Sequence, residues 1–249
     1  MTGVPSVLVV IIGRAGSKGL PGKNALTVAG CPMICHTITD VRQATLVDRM
    51  IVSTDGDDIA RAAESMGIQV IHRPAELADD NATVDAAVRY AVESVQSEAD
   101  IIIILYANVP VRPEGLIDHA LRTLLDSGAD SVQSYTKVGK HHPYWMVMMD
   151  DEGRIEPHVQ NTVYRRQDLP ELMIPDGGVI AVRRESLFDI DPAQPHSFLG
   201  RDRRGIENPC GAVIDVDTEA DFVLAESILS RAGQNQGDSP SSAETIASC

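Results

Sequence analysis

Aromatic side chains, basic residues and long apolar runs are all scarce in this chain of 249 residues. Phe, Trp and Tyr make up 4% of it, and 21 Lys and Arg residues stand against 36 Asp and Glu, so the formal net charge is −15. A surface of that sign argues against binding to nucleic acid or to anionic membranes. No apolar run approaches the ~20 residues that a membrane-spanning helix needs. What remains is an enzyme or binding protein for small molecules.

Cysteine is also rare, and its spacing excludes the usual metal and redox motifs. Four cysteines occur, with no C-x-x-C pair and no His or Cys pair at zinc spacing beside them. We expect them to be reduced thiols. Residues 1–6 lack the basic start of a signal peptide and lead directly into an apolar run, so the expected location is cytoplasmic.

Against this acidic background, one stretch near the N-terminus concentrates glycine and positive charge. Residues 7–12 are an unbroken apolar run, which predicts a strand buried on both faces. Residues 13–24 then place four glycines between Arg14, Lys18 and Lys23. Glycine lets backbone N–H groups approach a ligand, and the cations supply charge, so a polyanion such as a nucleoside triphosphate is the predicted ligand. The alternative is a basic surface loop.

This stretch follows neither of the two commonest phosphate-binding patterns. The P-loop pattern fails because Ser17 stands five residues before Gly22 and Asn24 follows Lys23. The dinucleotide fingerprint fails because the glycines recur every three residues without a G-x-G pair.

The rest of the chain alternates buried strands with amphipathic helices. Strands are predicted at 50–54, 68–71 and 101–105, the last being the most apolar and therefore central, and helices at 32–41, 57–66, 83–95 and 115–125. This alternation predicts an α/β fold, a Rossmann-like, doubly wound and mainly parallel sheet.

From residue 129 onward the pattern changes. A strand is predicted at 131–135, and residues 139–172 then mix aromatics, short runs and a turn at 150–153, which indicates an inserted hairpin arm. Further strands are predicted at 178–182 and 211–217, followed by a helix at 219–229 that Thr218 caps. We expect one domain over residues 1–232 and a disordered tail over 233–249.

Asp215 and Asp217 are the candidate metal ligands. Alternation along an extended segment puts both carboxylates on one side, with Val216 on the other. Two carboxylates so close repel each other unless a hard cation lies between them. The alternative is an acidic strand end before a helix N-terminus, where acids are common.

Two further segments follow predicted strands and are candidates for ligand contact. Arg73, with Asp80, Asn81, Ala82 and Thr83 at the start of a helix, could read a pyrimidine edge through free N–H groups, or could simply form a helix cap on an Arg-Pro turn. Arg112 lies beyond the carboxyl end of the central strand, where ligands bind in such sheets.

Five short sequence motifs, which occur in the family's order, resemble those of the acylneuraminate cytidylyltransferases and their relatives that activate other nonulosonic acids. They cover roughly residues 7–230 and are Arg14-Ala15-Gly16-Ser17-Lys18-Gly19 with Lys23-Asn24, Ile51-Val52-Ser53-Thr54-Asp55, Arg73-Pro74-Ala75-Glu76-Leu77-Ala78, Arg165-Arg166-Gln167-Asp168 and Asp215-Val216-Asp217. The resemblance implies a nucleotidyltransferase-type fold, triphosphate contacts by Arg14, Lys18 and Lys23, nucleotide binding by Ala15, Gly16 and Ser17, and Asn24 beside the nucleotide. It further implies Mg²⁺ on Asp215 and Asp217, an arm that reaches a second subunit in a homodimer, and Arg165 and Gln167 on the acidic sugar.

The chain departs from this family after its central strand. Members typically read Leu-Gln-Pro-Thr-Ser-Pro-Leu-Arg there, whereas residues 105–112 read Leu-Tyr-Ala-Asn-Val-Pro-Val-Arg. Because the family's segment contacts nucleotide and acceptor, Tyr106 and Asn108 become candidate determinants of the substrate.

The expected reaction is a Mg²⁺-dependent transfer of CMP from CTP to an acidic sugar of the sialic, legionaminic or pseudaminic type. Arg14, Lys18, Lys23 and Asp217 would be its catalytic residues. The alternatives are another acceptor (an octulosonic acid, a sugar phosphate or a phosphonate), another base such as GTP, a glycosyltransferase with an Asp-x-Asp metal site, and a nucleotide-binding module without turnover.

Overall fold

The computed structural model describes residues 4–16 and 26–237, and for 233–237 the backbone alone. Eleven strands are described in these ranges: β1 (Val7–Gly13), β2 (Thr27–Val28), β3 (Cys31–Pro32), β4 (Arg49–Thr54), β5 (Gln69–His72), β6 (Ile101–Tyr106), β7 (Ser131–Lys137), β8 (Val147–Met149), β9 (Ile155–Pro157), β10 (Met173–Arg183) and β11 (Arg203–Glu207). The helices of the same ranges are α1 (Met33–Gln43), α2 (Asp57–Ser65), α3 (Val84–Ser94), α4 (Leu116–Ser127), α5 (Arg184–Phe188) and α6 (Glu219–Gly237).

Seven strands form the main sheet, in the order β11-β7-β10-β6-β1-β4-β5. β1 pairs in parallel with β4 and β6, and β4 pairs in parallel with β5. β10 runs antiparallel between β6 and β7, while β11 is parallel to β7. The sheet is therefore mainly parallel with β6 at its centre, as the sequence predicts, and the carboxyl ends of β1, β4, β5 and β6 meet at one edge.

Both faces of the sheet are buried because β1 and β6 are apolar at every position. Alternate residues such as Val9 and Ile103 pack on one face with α1, α2 and α4. The residues between them, such as Val10 and Ile102, pack on the other face with α3 and α5. Runs of this kind lie inside a sheet that has helices on both sides.

The last part of the described chain differs from prediction in two places. Residues 211–217 do not form a strand of the sheet: residues 211–213 are a turn and bends, and Ile214 makes a single antiparallel bridge with Val111. Helix α6 begins where predicted, with the Thr218 hydroxyl accepting the N–H of Asp221 at 3.3 Å, but continues to Gly237 rather than ending near residue 229. Residues 238–249 of the predicted tail lie outside the described residues.

The predicted arm, residues 139–172, leaves the sheet between β7 and β10. It contains the antiparallel hairpin of β8 and β9, closed by a turn in which the N–H of Gly153 donates to the carbonyl of Asp150 at 3.0 Å. The hairpin was expected from the turn residues at 150–153. Within the described ranges, no helix combines the length and the apolar character needed to cross a bilayer.

Candidate active site

The end of β1 and the acidic segment 215–217 meet at the carboxyl edge of the sheet. The N–H of Ala107, just beyond β6, donates to the carbonyl of Ile12 at 2.9 Å. A Cβ on Gly13 would lie 2.8 Å from the Cβ of Ala107, so only glycine allows the end of β1 and the segment after β6 to approach this closely. The N–H of Val216 in turn donates to the carbonyl of Asn108 at 2.9 Å. Residues 107–112, here called the β6 turn, thus join the start of the basic stretch to the acidic pair.

The start of the basic stretch is held by acids from neighbouring strands. The Arg14 guanidinium pairs with the Asp80 carboxylate at 2.9 Å. The N–H of Ala15 donates to Oδ1 of Asp55 at 3.0 Å, and the nucleotide contact predicted for Ala15 remains a prediction. Gly16 is exposed, with open space around its Cα. Ser17, Lys18, Lys23 and Asn24 lie outside the described residues, and their roles remain predictions.

The Arg73 side chain is buried against the start of the basic stretch and does not line an open pocket for the nucleotide base. Its side chain is 7% exposed, donates to the carbonyl of Gly13 and lies 3.5 Å from Asp55. Burial lowers the pKa of the Arg73 guanidinium, Asp55 raises it, and Arg14 lowers it further. The prediction that Arg73 lines the base and ribose therefore changes: its Nη2 holds the backbone, and its buried Nε has no hydrogen-bond partner among the described residues.

Two of the N–H groups before α3, those of Asn81 and Ala82, are already used within the segment. The N–H groups of Asn81 and Ala82 both donate to Oδ1 of Asp79 at 2.8 Å. The Thr83 hydroxyl accepts the N–H of Ala86 and caps α3. Asn81, Ala82 and Thr83 thus fit the helix-cap alternative, whereas Asp80 is brought to Arg14.

The β6 turn uses its polar groups to build the acidic segment. The Asn108 side-chain amide donates to Oδ1 of Asp215, and Val109 is fully buried. Tyr106 ends β6 near Asp215; burial and, second, that carboxylate raise the pKa of Tyr106 to about 12. Its phenol therefore stays protonated at neutral pH. Asn108, predicted as a substrate contact, instead faces a predicted metal ligand.

Arg112 is the clearest correction. Its side chain is 1% exposed and donates to the carbonyls of Tyr106 at 3.0 Å and Gly178 at 2.8 Å, to the carbonyl of Val109, and to the Thr37 hydroxyl. Asp40 lies 3.4 Å away, and burial raises the pKa of that carboxyl. A guanidinium enclosed in this way does not contact a substrate. Its hydrogen bonds to the surrounding carbonyls hold the β6 turn in place.

Asp215 and Asp217 are exposed on one side of their segment, and Val216 is buried between them, which confirms the predicted alternation. Gly177 of β10, at φ +78°, approaches closely enough that a Cβ there would lie 3.3 Å from Oδ2 of Asp215. Two adjacent carboxylates of this kind fit Mg²⁺, which takes few protein carboxylates and completes its shell with phosphate and water oxygens. Within the described residues no group of three or more His, Cys, Asp or Glu could hold a metal by itself.

The contacts described for Arg165 and Gln167, the predicted acceptor residues of the arm, are not with the strand ends of the site. Arg165 is 63% exposed, and its Nε and Nη2 donate to the two carboxylate oxygens of Asp168 at 2.7 and 2.9 Å. Gln167 is exposed in the 3₁₀ turn Arg166–Asp168. No described hydrogen bond joins either side chain to the β6 turn or to Asp215.

Sequence reasoning assigned no role to Asp55, Asp176 or Gly177. Asp176 accepts hydrogen bonds from Ser134 at 2.5 Å, from the N–H of Gly178 at 2.9 Å and from Asn208 at 2.7 Å, and so shapes the bulge of β10 beside Asp215. Asp55 stands directly after an apolar strand, a position that could have marked it. Asp176-Gly177-Gly178 is typical of a turn, and this pattern marks the bulge in β10.

Known proteins share both the sequence pattern and the fold. A family model described as Cytidylyltransferase matches residues 8–173, more than half of the chain. An N-acylneuraminate cytidylyltransferase of Streptococcus agalactiae is 30% identical over 216 residues, which are 86% of this chain and 51% of the relative. A CMP-N,N'-diacetyllegionaminic acid synthase of Legionella pneumophila is 29% identical over 233 residues, 90% of this chain and 96% of that protein.

A solved CMP:2-keto-3-deoxy-manno-octonic acid synthetase complexed with CTP has the same fold, with a TM-score of 0.69 at 20% identity, over 91% of this chain and 99% of that one. The chain spans about half the length of the streptococcal relatives that it matches. The family-model match, over residues that include β1, the β6 turn and the arm, shows that this chain belongs to the cytidylyltransferase family.

Proposed function

We propose that the chain is a Mg²⁺-dependent cytidylyltransferase that activates an acidic nonulosonic sugar, of the sialic, legionaminic or pseudaminic type, with CTP. The products are the CMP-sugar and pyrophosphate. The observation that carries the proposal is the junction at the β6 turn, where Ala107 binds Ile12 and Asn108 binds Val216. It brings Arg14, at the start of the basic stretch, and an acidic pair far from it in sequence to the same edge of the sheet.

In the proposed reaction the anomeric hydroxyl oxygen of the sugar attacks the α-phosphorus of CTP. A new P–O bond forms, the bond between that phosphorus and the bridging oxygen of the β-phosphate breaks, and the hydroxyl proton passes to solvent. The chain's tasks are to neutralise the triphosphate and to hold acceptor and phosphorus in line. Arg14, with Lys18 and Lys23 predicted from sequence, supplies the cations.

Asp215 and Asp217 would hold the magnesium ion. A bound Mg²⁺ supplies charge neutralisation on the phosphate oxygens and lowers the pKa of an attacking hydroxyl. The chain contributes the orientation of its carboxylates: Asn108 and Gly177 position Asp215, and the buried Val216 keeps both acids on one side. The proposed reaction needs no described residue as a general base.

The acceptor would lie beside Tyr106 and the bulge of β10, with Arg165 and Gln167 supplied by the arm of a second subunit. The hairpin of the arm supports a homodimer, because Val147, Met148 and Met149 are all exposed in the part of the chain that the structure describes. An isolated two-stranded hairpin is marginal in water. The names of the streptococcal and Legionella relatives support an acidic sugar as acceptor, and the cytoplasmic location expected from the sequence remains a prediction.

The decisive experiment is a pyrophosphate-release screen of four nucleoside triphosphates against acidic sugars, an octulosonic acid, sugar phosphates and phosphonates, with Mg²⁺ or with EDTA. Release with CTP and a nonulosonic acid, abolished by EDTA, is expected. Release with GTP, or with a sugar phosphate alone, would replace the proposal by one of its alternatives. No release from any nucleotide would favour a glycosyltransferase or a binding module.

Within that screen, Asp217→Asn should lower kcat by about 10²–10³-fold, because charge that develops on the phosphates loses its stabilisation. CTP affinity should fall only slightly. Glu219→Gln, an exposed acid in the first turn of α6, provides a control with the same charge change. Full turnover by Asp217→Asn in excess Mg²⁺ would contradict the role of the acidic pair.

A further inference from the structure

Asp55 links three strand ends beneath the basic stretch. Its Oδ1 accepts the N–H of Ala15 at 3.0 Å and lies 3.5 Å from Nη2 of Arg73. The same Nη2 donates to the carbonyl of Gly13, and the N–H of Arg73 donates to the carbonyl of Thr54 at 2.9 Å. The ends of β1, β4 and β5 are thereby joined through one carboxylate and one guanidinium.

The packing around this link leaves little freedom. The Arg73 side chain is almost wholly buried, and Asp55 is about one quarter exposed. A Cβ on Gly56 would approach the Cβ of Ala15 to 3.3 Å, tighter than ordinary contact. Gly56 therefore packs closely against residue 15, and Arg73 donates a hydrogen bond to residue 13. Together these contacts set the direction in which the chain leaves β1.

The charge of Asp55 is unfavourable for the ligand of this loop. A carboxylate that lies among Ala15, Arg73 and Arg14 repels a triphosphate and neutralises part of the positive charge of Arg73. If the cations of this region acted only by their summed charge, Asp55 would weaken nucleotide binding. Its place in the site therefore calls for a geometric contribution larger than its electrostatic cost.

We propose that Asp55 is a positioning residue for nucleotide binding, which fixes Ala15 and, through Arg73, Gly13, so that residues 13–15 are preorganised for the triphosphate. The inference rests on the proposed function in taking CTP as the ligand. Asp55 acts through the backbone and through Arg73, not by touching the substrate. Preorganisation of this kind spares the ligand the cost of ordering residues 13–15 on binding.

The test is the affinity for CTP, measured by calorimetry in the presence of Mg²⁺, because the two explanations predict opposite signs. Asp55→Ala removes a negative charge and the acceptor for Ala15; positioning predicts a Kd for CTP raised about tenfold, the loss of one hydrogen bond to a charged group. A purely electrostatic role predicts a lowered Kd. Asp55→Asn keeps an oxygen acceptor without the charge and should fall between wild type and Asp55→Ala, as rescue by a conservative variant.

Asp58→Ala is the matched control, because it removes the same charge from an exposed acid at the start of α2 whose described ion pair is with the nearby Arg61. It should leave the Kd unchanged. Arg73→Lys keeps the charge but loses the planar fork, and combined with Asp55→Ala it should bind CTP no worse than the poorer single variant, since both act through one link.

Tighter CTP binding by Asp55→Ala or Asp55→Asn, or fully multiplicative losses in the double variant, would overturn the positioning role. These outcomes are separate from the function test. Wild-type protein that binds CTP but releases no pyrophosphate with any acidic sugar would refute the acceptor, not Asp55. Wild-type protein that binds no CTP would refute both.

Discussion

The β6 turn and the arm each contain an arginine that the sequence assigned to the acceptor, yet the two regions differ in how complete they are. Arg112 of the β6 turn is enclosed and donates to three backbone carbonyls and a hydroxyl. Arg165 of the arm is exposed, with its fork on Asp168 of the same 3₁₀ turn. The polar groups of Arg112 are satisfied within one chain, whereas the arm exposes the apolar side chains of Val147, Met149 and Ile155 on its hairpin and an arginine that can exchange its partner.

The difference teaches that an arginine near a strand end can serve the backbone or a ligand, and that burial distinguishes the two. A buried guanidinium satisfies carbonyls that would otherwise lose hydrogen bonds. An exposed guanidinium gains little from a local carboxylate, since surface ion pairs contribute about 0–1 kcal/mol. Arg165 can therefore leave Asp168 for a sugar carboxylate at small cost.

The largest expected effect follows from removing the buried arginine. Arg112→Met should lower the free energy of unfolding by about 3–5 kcal/mol, because it leaves several buried carbonyls without their donor and removes the partner of Asp40, which is 30% exposed. Arg165→Met should change it by less than about 0.5 kcal/mol. Urea denaturation measures both, and Arg112→Lys should be intermediate. Equal stabilities for the two Met variants would contradict the contrast between the regions.

The second prediction concerns the exposed hairpin of the arm. Ile155 stands opposite Met149 across the hairpin, and these two side chains are 60% and 69% exposed. If the hairpin lies in a homodimer, Ile155→Lys should raise the dimer Kd about 100-fold, because a charge would be buried in an apolar contact. Glu156→Gln, the next residue and the same change in net charge, is the control. Sedimentation that shows a monomer for wild type would refute the dimer.

The third prediction returns to the β6 turn and depends on the proposed Mg²⁺ site. Asn108→Ala removes the amide that orients Asp215 and should raise the Mg²⁺ concentration for half-maximal rate about 10–100-fold, the usual effect of losing a group that orients a metal ligand. Mn²⁺ binding in the presence of CTP, followed by electron paramagnetic resonance, should weaken in parallel. Gln43→Ala, an exposed side chain at the end of α1, is the control. Unchanged Mn²⁺ affinity would return Asn108 to its predicted role on the substrate.

The fold was predictable because its signals are local. The apolar runs of β1 and β6 and the helical spacing of α3 each decide their own structure within a few residues. Segment 211–217 was predicted wrongly because its apolar residues do look like a strand. They pack instead with α6 and the β6 turn, with Ile214 bridged only to Val111, and no local pattern distinguishes that arrangement from a place in the sheet.

The candidate site was predictable in its acids and less so in its arginines. Asp215 and Asp217 are placed by alternation, a rule that operates within three residues. Whether Arg73 and Arg112 face a ligand or the backbone depends on carbonyls of Gly13 and Gly178, which are contributed by other strands. Asp55 was missed for the same reason, since its partner Ala15 lies forty residues away.

The smallest expected effect comes from changing the exposed Arg165. It tests whether this arginine, unlike Arg112, serves the acceptor rather than the chain. Arg165→Lys keeps the charge but loses the fork that would hold a carboxylate with two hydrogen bonds, so the KM for the acidic sugar should rise about tenfold. The KM for CTP and the free energy of unfolding should not change. Arg154→Lys, on an exposed arginine of the hairpin that pairs with Asp150 and Glu152, is the matched control. A rise in the KM for CTP, or a loss of stability, would mean that Arg165 resembles Arg112 after all and supports the chain rather than the acceptor.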